Sequence, residues 1–85
     1  RYGGEEFLIC LPGADLERAA EIAEHLRKTI EDKEIICGEH TIRITASFGV
    51  CGLQQIHDMG IQGLIECADK KLYLAKRNGR NRVEY

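Results

Sequence analysis

Two glycines followed by two carboxylates, Gly3-Gly4-Glu5-Glu6, introduce a short apolar run, Phe7-Leu8-Ile9-Cys10-Leu11. Glycine lacks a Cβ, so a backbone built from it can come close to a bulky ligand, and the adjacent carboxylates offer hard oxygen ligands to a divalent cation. Such a turn suits phosphate and magnesium, because Mg²⁺ takes a few carboxylates together with substrate phosphate oxygens. Paired metals of this kind stabilise the attacking and leaving oxygens of phosphoryl transfer. The same four residues also suit an ordinary hairpin turn with solvated glutamates. Where the strand is regular, successive side chains point to opposite faces, so Glu5 and Glu6 cannot both face one ligand.

A second concentration of charge lies at the other end. Lys70, Lys71, Lys76, Arg77, Arg80 and Arg82 are half of the 12 cations of an 85-residue chain whose net charge is only −2. That balance argues against wholesale nucleic-acid binding and leaves a local basic tail to be explained. Cations in the last turn of a helix complement its dipole, which accounts for Lys70, Lys71 and Arg77. The remaining candidates for chemistry are scattered. Cys10, Cys37, Cys51 and Cys67 show no Cys-x-x-Cys spacing, so free structural thiols are expected, with zinc and disulfides as minor readings. His25, His40 and His57 have no ligand partners at metal spacing and read as surface residues.

Elements that could position these groups follow from periodicity. Residues 5–11, bounded by Gly3-Gly4 and Pro12-Gly13, read as a buried strand. Asp15 is a plausible N-cap for a helix over residues 16–30, whose Leu16, Ala19, Ala20, Ala23, Leu26 and Ile30 recur at helical spacing. Residues 34–37 suit a short strand, Gly38-Glu39-His40 a turn, and residues 41–53 a longer strand rich in β-branched residues. Within it, Gly49 suggests a bulge or a close backbone approach. A second helix is expected over residues 61–75, stopped by Asn78-Gly79, and residues 82–85 read as one more strand. The fold class is thus α/β, one domain with helices packed on a sheet. The composition, 44% hydrophobic and 31% charged, is that of a globular domain. No apolar run approaches the roughly 18 residues of a membrane span and no signal peptide is evident, so a cytoplasmic location is expected. The chain has no initiator Met and is expected to be a piece of something longer.

Three segments carry a family resemblance. Arg1-Tyr2-Gly3-Gly4-Glu5-Glu6-Phe7 resembles the signature turn of GGDEF-domain diguanylate cyclases. Ile44-Thr45-Ala46-Ser47-Phe48-Gly49-Val50 is similar to that family's Thr-x-Ser-Ile-Gly-Val strand, with Phe48 in place of the usual Ile. The stretch Ala68-Asp69-Lys70-Lys71-Leu72-Tyr73-Leu74-Ala75-Lys76-Arg77-Asn78-Gly79-Arg80-Asn81 resembles its terminal pattern. The three stand in the family's order and cover essentially the whole chain, which would be the C-terminal portion of a single GGDEF domain over residues 1–85.

The resemblance implies an α+β architecture with a central, mainly antiparallel sheet flanked by helices, like the palm of nucleotide cyclases and polymerases. It implies that Gly3 and Gly4 line the nucleotide, that Glu5 coordinates metal and helps activate the attacking ribose 3′-hydroxyl, and that Glu6 supports the metal site. Lys76 and Arg80 match the positions that meet the GTP phosphates; Asp69 and Tyr73 match the motif too, with a structural role in positioning the helix as the reading that keeps them out of the catalytic set. The cofactor would be Mg²⁺ or Mn²⁺, the substrate GTP and the product cyclic di-GMP, made by a homodimer of complete domains joined to an upstream sensory or receiver domain, with no nucleic-acid partner. Family groups that read guanine, another metal-binding Asp and the inhibitory product site would lie before Arg1. The isolated piece is therefore expected to be inactive and marginally stable, and a degenerate domain that only binds GTP or cyclic di-GMP is the alternative.

Overall fold

The computed structural model describes residues 4–55 and 60–85. Helix α1, Leu16–Asp32, begins where Asp15 takes an extended backbone (φ −79, ψ 177) and its carboxylate accepts the Arg18 N–H at 2.8 Å. That bond satisfies one of the donors every helix start leaves orphaned, and Glu17 in the first turn adds the favourable charge. The buried stripe is Ala19, Ala20 and Ala23. Helix α2, Gly60–Arg77, buries Gly63 and Ala75 and half-buries Leu64, Ala68 and Leu72 on the same face.

Strands β1 (Ile35–Cys37) and β2 (His40–Ile42) form an antiparallel hairpin in which Cys37 faces His40 across a two-residue loop. Gly38 at φ 64 supplies the left-handed residue that such a loop requires at its first position. Strands β3 (Phe48–Gly49) and β4 (Val83–Glu84) pair in parallel, with the Phe48 and Val50 N–H groups donating to the carbonyls of Arg82 and Glu84 at 2.9 and 3.0 Å. A parallel pair needs a crossover, and α2 is that crossover, packed on both β3 and β4 while α1 packs on β4.

Both expected helices form, each extended by a turn or less, and so do the short strand, the turn and the terminal strand. Three expectations need correction. Residues 7–11 of the strand expected over 5–11 form no strand, and of that stretch only Glu6 takes a single bridge position. A strand is stable only when a neighbour pairs its backbone, which an apolar run alone does not specify. The expected long strand over 41–53 is split, because its first part pairs with β1 and Phe48–Gly49 with β4, so residues 43–47 leave both ladders. Among the described residues the mainly antiparallel central sheet is accordingly represented by two small sheets, one antiparallel and one parallel. The overall class remains mixed α+β, as in a partial palm-like domain.

The third correction concerns sulfur. Cys51 and Cys67 form a disulfide across 16 residues, whereas Cys10 and Cys37 are free and exposed. The cause is the close approach at Gly49. A Cβ there would overlap the Leu72 N and Ala68 O of α2 and lie 2.8 Å from the Leu72 Cα. β3 therefore rests directly on the α2 backbone, which brings Cys51 beside Cys67, one residue before Ala68.

Among the described residues, the buried apolar positions are alanines and no large side chain is fully buried. Phe7, Ile36, Leu53 and Ile61 are each more than 70% exposed. No helix among the described residues is long and apolar enough to cross a membrane.

Candidate active site

The glycine-carboxylate turn, whose Gly3 lies outside the described residues, reaches α2 through Glu6. Gly4 sits at φ 49, a left-handed backbone that glycine adopts without strain, and Glu5 and Glu6 follow it. Glu5 is exposed, whereas Glu6 is turned inward and its Oε2 accepts a hydrogen bond from Lys76 Nζ at 3.2 Å. Two residues adjacent in sequence thus diverge, as alternation requires. Of the two carboxylates, Glu6 is the one that pairs with Lys76. Both partners keep about a third of their side-chain surface, 33% for Lys76 and 36% for Glu6, so the pair is open to exchange with a ligand.

Around this ion pair lies a cleft of about 130 Å³ lined by Glu6, Asp69, Leu72, Tyr73 and Lys76. Asp69, Tyr73 and Lys76 fall on one face of α2 because they are spaced four and three residues apart. Asp69 and Tyr73, read from sequence as positioning residues, therefore line the cleft themselves, and their helical spacing relative to Lys76 was the available signal. A complete nucleotide needs a pocket of about 300 Å³ or more. The cleft is of a size for a phosphate group and a cation, with the rest of a nucleotide lying over open surface.

Arg80 stands just past the end of α2. Its N–H donates to the Ala75 carbonyl at 2.9 Å and the Asn78 N–H to Leu74 at 2.8 Å, while Gly79 takes φ 125. The first of these is the six-residue closure that ends a helix by turning the chain back over its last carbonyls. Arg80 and Asn81 continue it at φ 64 and φ 47. For side chains other than glycine such backbone costs about 1–2 kcal/mol per residue, so this corner is held by its surroundings.

One part of those surroundings has no signal in the sequence. Arg27 of α1, only 15% exposed at its side chain, donates from Nε to Glu24 Oε1 at 2.7 Å and from Nη1 to Asn81 Oδ1 at 3.0 Å. Asn81 Nδ2 in turn donates to Glu31, whose Oε1 lies 3.4 Å from Arg27 Nη1. The hydrogen bond from Asn81, then the charges of Arg27 and Lys28, hold the Glu31 carboxyl below its ordinary pKa against the opposing effect of burial. The hydrogen bond from Arg27 does the same for Glu24. Arg27, on the polar side of a helix full of charges, gave no hint of this contact 54 residues away.

The residues also bear on a metal. Among the described residues no group of three or more His, Cys, Asp or Glu forms a ready-made cage. Two neighbouring carboxylates with open surface around them fit Mg²⁺, which is commonly held by one or two carboxylates plus water and substrate phosphate.

Comparison with known proteins places the arrangement. The family model described as "Diguanylate cyclase, GGDEF domain" matches residues 1–82. The chain belongs to the GGDEF family. It is 42% identical over 84 residues to Diguanylate cyclase A of Treponema denticola, covering 98% of this chain and 22% of that protein. It is 44% identical over 86 residues to Diguanylate cyclase VdcA of Vibrio cholerae, covering 98% of this chain and 25% of that protein. Diguanylate cyclase DosC of Escherichia coli is 38% identical over 85 residues, with 99% of this chain and 18% of that protein covered. The chain thus spans no more than a quarter of the length of these curated relatives. In this GGDEF domain the three resembling segments meet on one helix. The turn touches α2 through Glu6 and Lys76, and the strand segment presses on α2 through Gly49.

Proposed function

We propose that the complete protein carrying this chain is a diguanylate cyclase that condenses two GTP molecules into cyclic di-GMP with release of pyrophosphate. The observation that supports this reading is the Glu6–Lys76 pair, which joins the Gly-Gly-Glu-Glu turn to the basic end of α2 across 70 residues of sequence. Without substrate, ammonium and carboxylate neutralise each other. When the triphosphate arrives, Lys76 exchanges Glu6 for phosphate oxygens; Glu5 would hold the divalent cation, and Glu6, facing the other way, would support the site from the side of α2. Arg80 adds a guanidinium, whose planar fork suits phosphate geometry. Gly3 and Gly4 let the backbone lie against the nucleotide.

The divalent cation, Mg²⁺ or Mn²⁺, supplies charge neutralisation to the phosphates and lowers the pKa of a hydroxyl brought to it. Glu5 helps take the proton from the ribose 3′-hydroxyl, whose oxygen attacks the α-phosphorus of the other GTP as pyrophosphate departs. Repeating that step with the two roles reversed closes a symmetric ring, so two copies of the domain face each other. GTP as substrate places the reaction in the cytoplasm, and the length of the relatives leaves ample chain for a sensory or receiver domain.

The test is turnover by the complete protein with Mg²⁺. Glu5→Gln keeps the shape of the side chain and removes its charge, and is expected to lower cyclic di-GMP formation by about two orders of magnitude or more. Near-normal turnover by the folded variant overturns the catalytic assignment. An unaltered protein that binds GTP and forms no product would instead be a degenerate binding domain.

A further inference from the structure

Arg80 is fixed at its backbone and free at its tip. Its N–H is held by the Ala75 carbonyl at 2.9 Å and its carbonyl accepts from Arg82 Nε at 3.2 Å, whereas its own guanidinium is exposed and takes no partner among the described residues. Asn81 completes the hold from the far side. Its N–H donates to Ser47 Oγ at 3.2 Å, its Oδ1 accepts from Arg27 Nη1 at 3.0 Å, and its Nδ2 donates to Glu31. An asparagine in left-handed backbone ordinarily bonds to its own neighbourhood. Here each of those polar groups reaches a distant element, either α1 or the segment entering β3, so the side chain anchors the corner to the rest of the domain. Arg27 can serve as the anchor because it is largely buried and braced by Glu24 and Glu31.

We propose that Asn81 is the positioning residue of the phosphate-binding arm: gripped by Arg27, Glu31 and Ser47, it fixes the left-handed corner from which Arg80 directs its guanidinium to the nucleotide. The inference rests on the reading of Arg80 as a phosphate ligand. A long, flexible arginine loses conformational freedom when it binds, and a backbone set beforehand reduces that loss. Asn81 would thus act on nucleotide affinity without touching the nucleotide.

The experiment measures KM for GTP and kcat in the complete protein for Arg80→Ala, Asn81→Ala, Asn81→Gly and the double variant Arg80→Ala/Asn81→Ala. Asn81→Gly keeps the left-handed backbone accessible, and the N–H that bonds Ser47, while removing the side-chain hold on Arg27 and Glu31, so it remains informative where Asn81→Ala folds poorly. The expected result is a rise in KM of about tenfold for each Asn81 variant, with kcat changed less than about threefold, in line with the loss of hydrogen bonds to charged groups. The double variant is expected to be no worse than Arg80→Ala alone, because the grip has no effect once the arm is gone. A normal KM in Asn81→Gly overturns the inference while leaving the Arg80 reading intact. Additive losses in the double variant also overturn it, since Asn81 would then act on the general fold. A normal KM in Arg80→Ala removes the phosphate reading itself and the inference with it.

Discussion

The two sides of the candidate site are held in opposite ways. The cationic side, at the end of α2, is pinned from several directions: β3 lies against the helix backbone at Gly49, Cys67 is bonded to Cys51, and Asn81 is tied to α1. On the carboxylate side the ion pair among the described residues is Glu6 with Lys76, and the turn is followed by an apolar segment that forms no strand and leaves Phe7 72% exposed. The difference teaches where rigidity is needed. On the proposed reading, a fixed cationic frame would receive a triphosphate in a set geometry, while carboxylates that exchange a lysine for a cation would be better held loosely.

The sharpest way to break the comparison is Gly49→Ala. The added methyl meets backbone atoms of Ala68 and Leu72, which cannot rotate away as a side chain could. A loss of about 3 kcal/mol is expected, at the upper end for overpacking, read as faster amide hydrogen exchange throughout α2 in the complete protein. Unchanged exchange would show that β3 does not set the position of the helix. Reduction of Cys51–Cys67 by a dithiol comes next. Its loop of 16 residues corresponds to about 2–3 kcal/mol of lost stability, with the same exchange experiment as readout. Protection of α2 that is indifferent to reductant would leave Gly49 as the main pin.

The smallest effect is expected on the loose side. Glu6→Gln removes a half-exposed ion pair and should change stability by no more than about 1 kcal/mol. A large loss of protection in α2 would show that the carboxylate turn is part of the frame after all.

What could be read in advance follows this same division. Helices α1 and α2 were legible because Leu16, Ala19, Ala20 and Ala23, and likewise Leu64, Ala68, Leu72 and Ala75, recur at the helical period, with Asp15 and Gly79 marking a start and a stop. Gly49 was legible as either a bulge or a close backbone approach, and packing on α2 decides for the second. Strand pairing was not, because it depends on a partner far along the chain; for that reason residues 41–53 split between two sheets and residues 7–11 formed no strand. The Cys51–Cys67 bond and the Arg27–Asn81 contact were hidden for the same cause, being products of packing between elements. The choice between Glu5 and Glu6 was legible only as an alternative, since alternation says that one faces the helix without saying which.

The Glu6–Lys76 pair also shapes how the site responds to ionic strength. A bare ammonium waiting for a triphosphate would lose much of its attraction as salt is added, because the opposite charges are screened over a length of about 8–10 Å. A lysine already paired begins from a state that salt weakens as well. Added electrolyte loosens the resting contact while it dulls the pull of the incoming phosphates, and the two effects oppose each other. On the proposed reading the pair meets its ligand as a locally neutral unit, with the Asp69 carboxylate beside it, and affinity at this lysine is buffered against changes in the salt content of the medium.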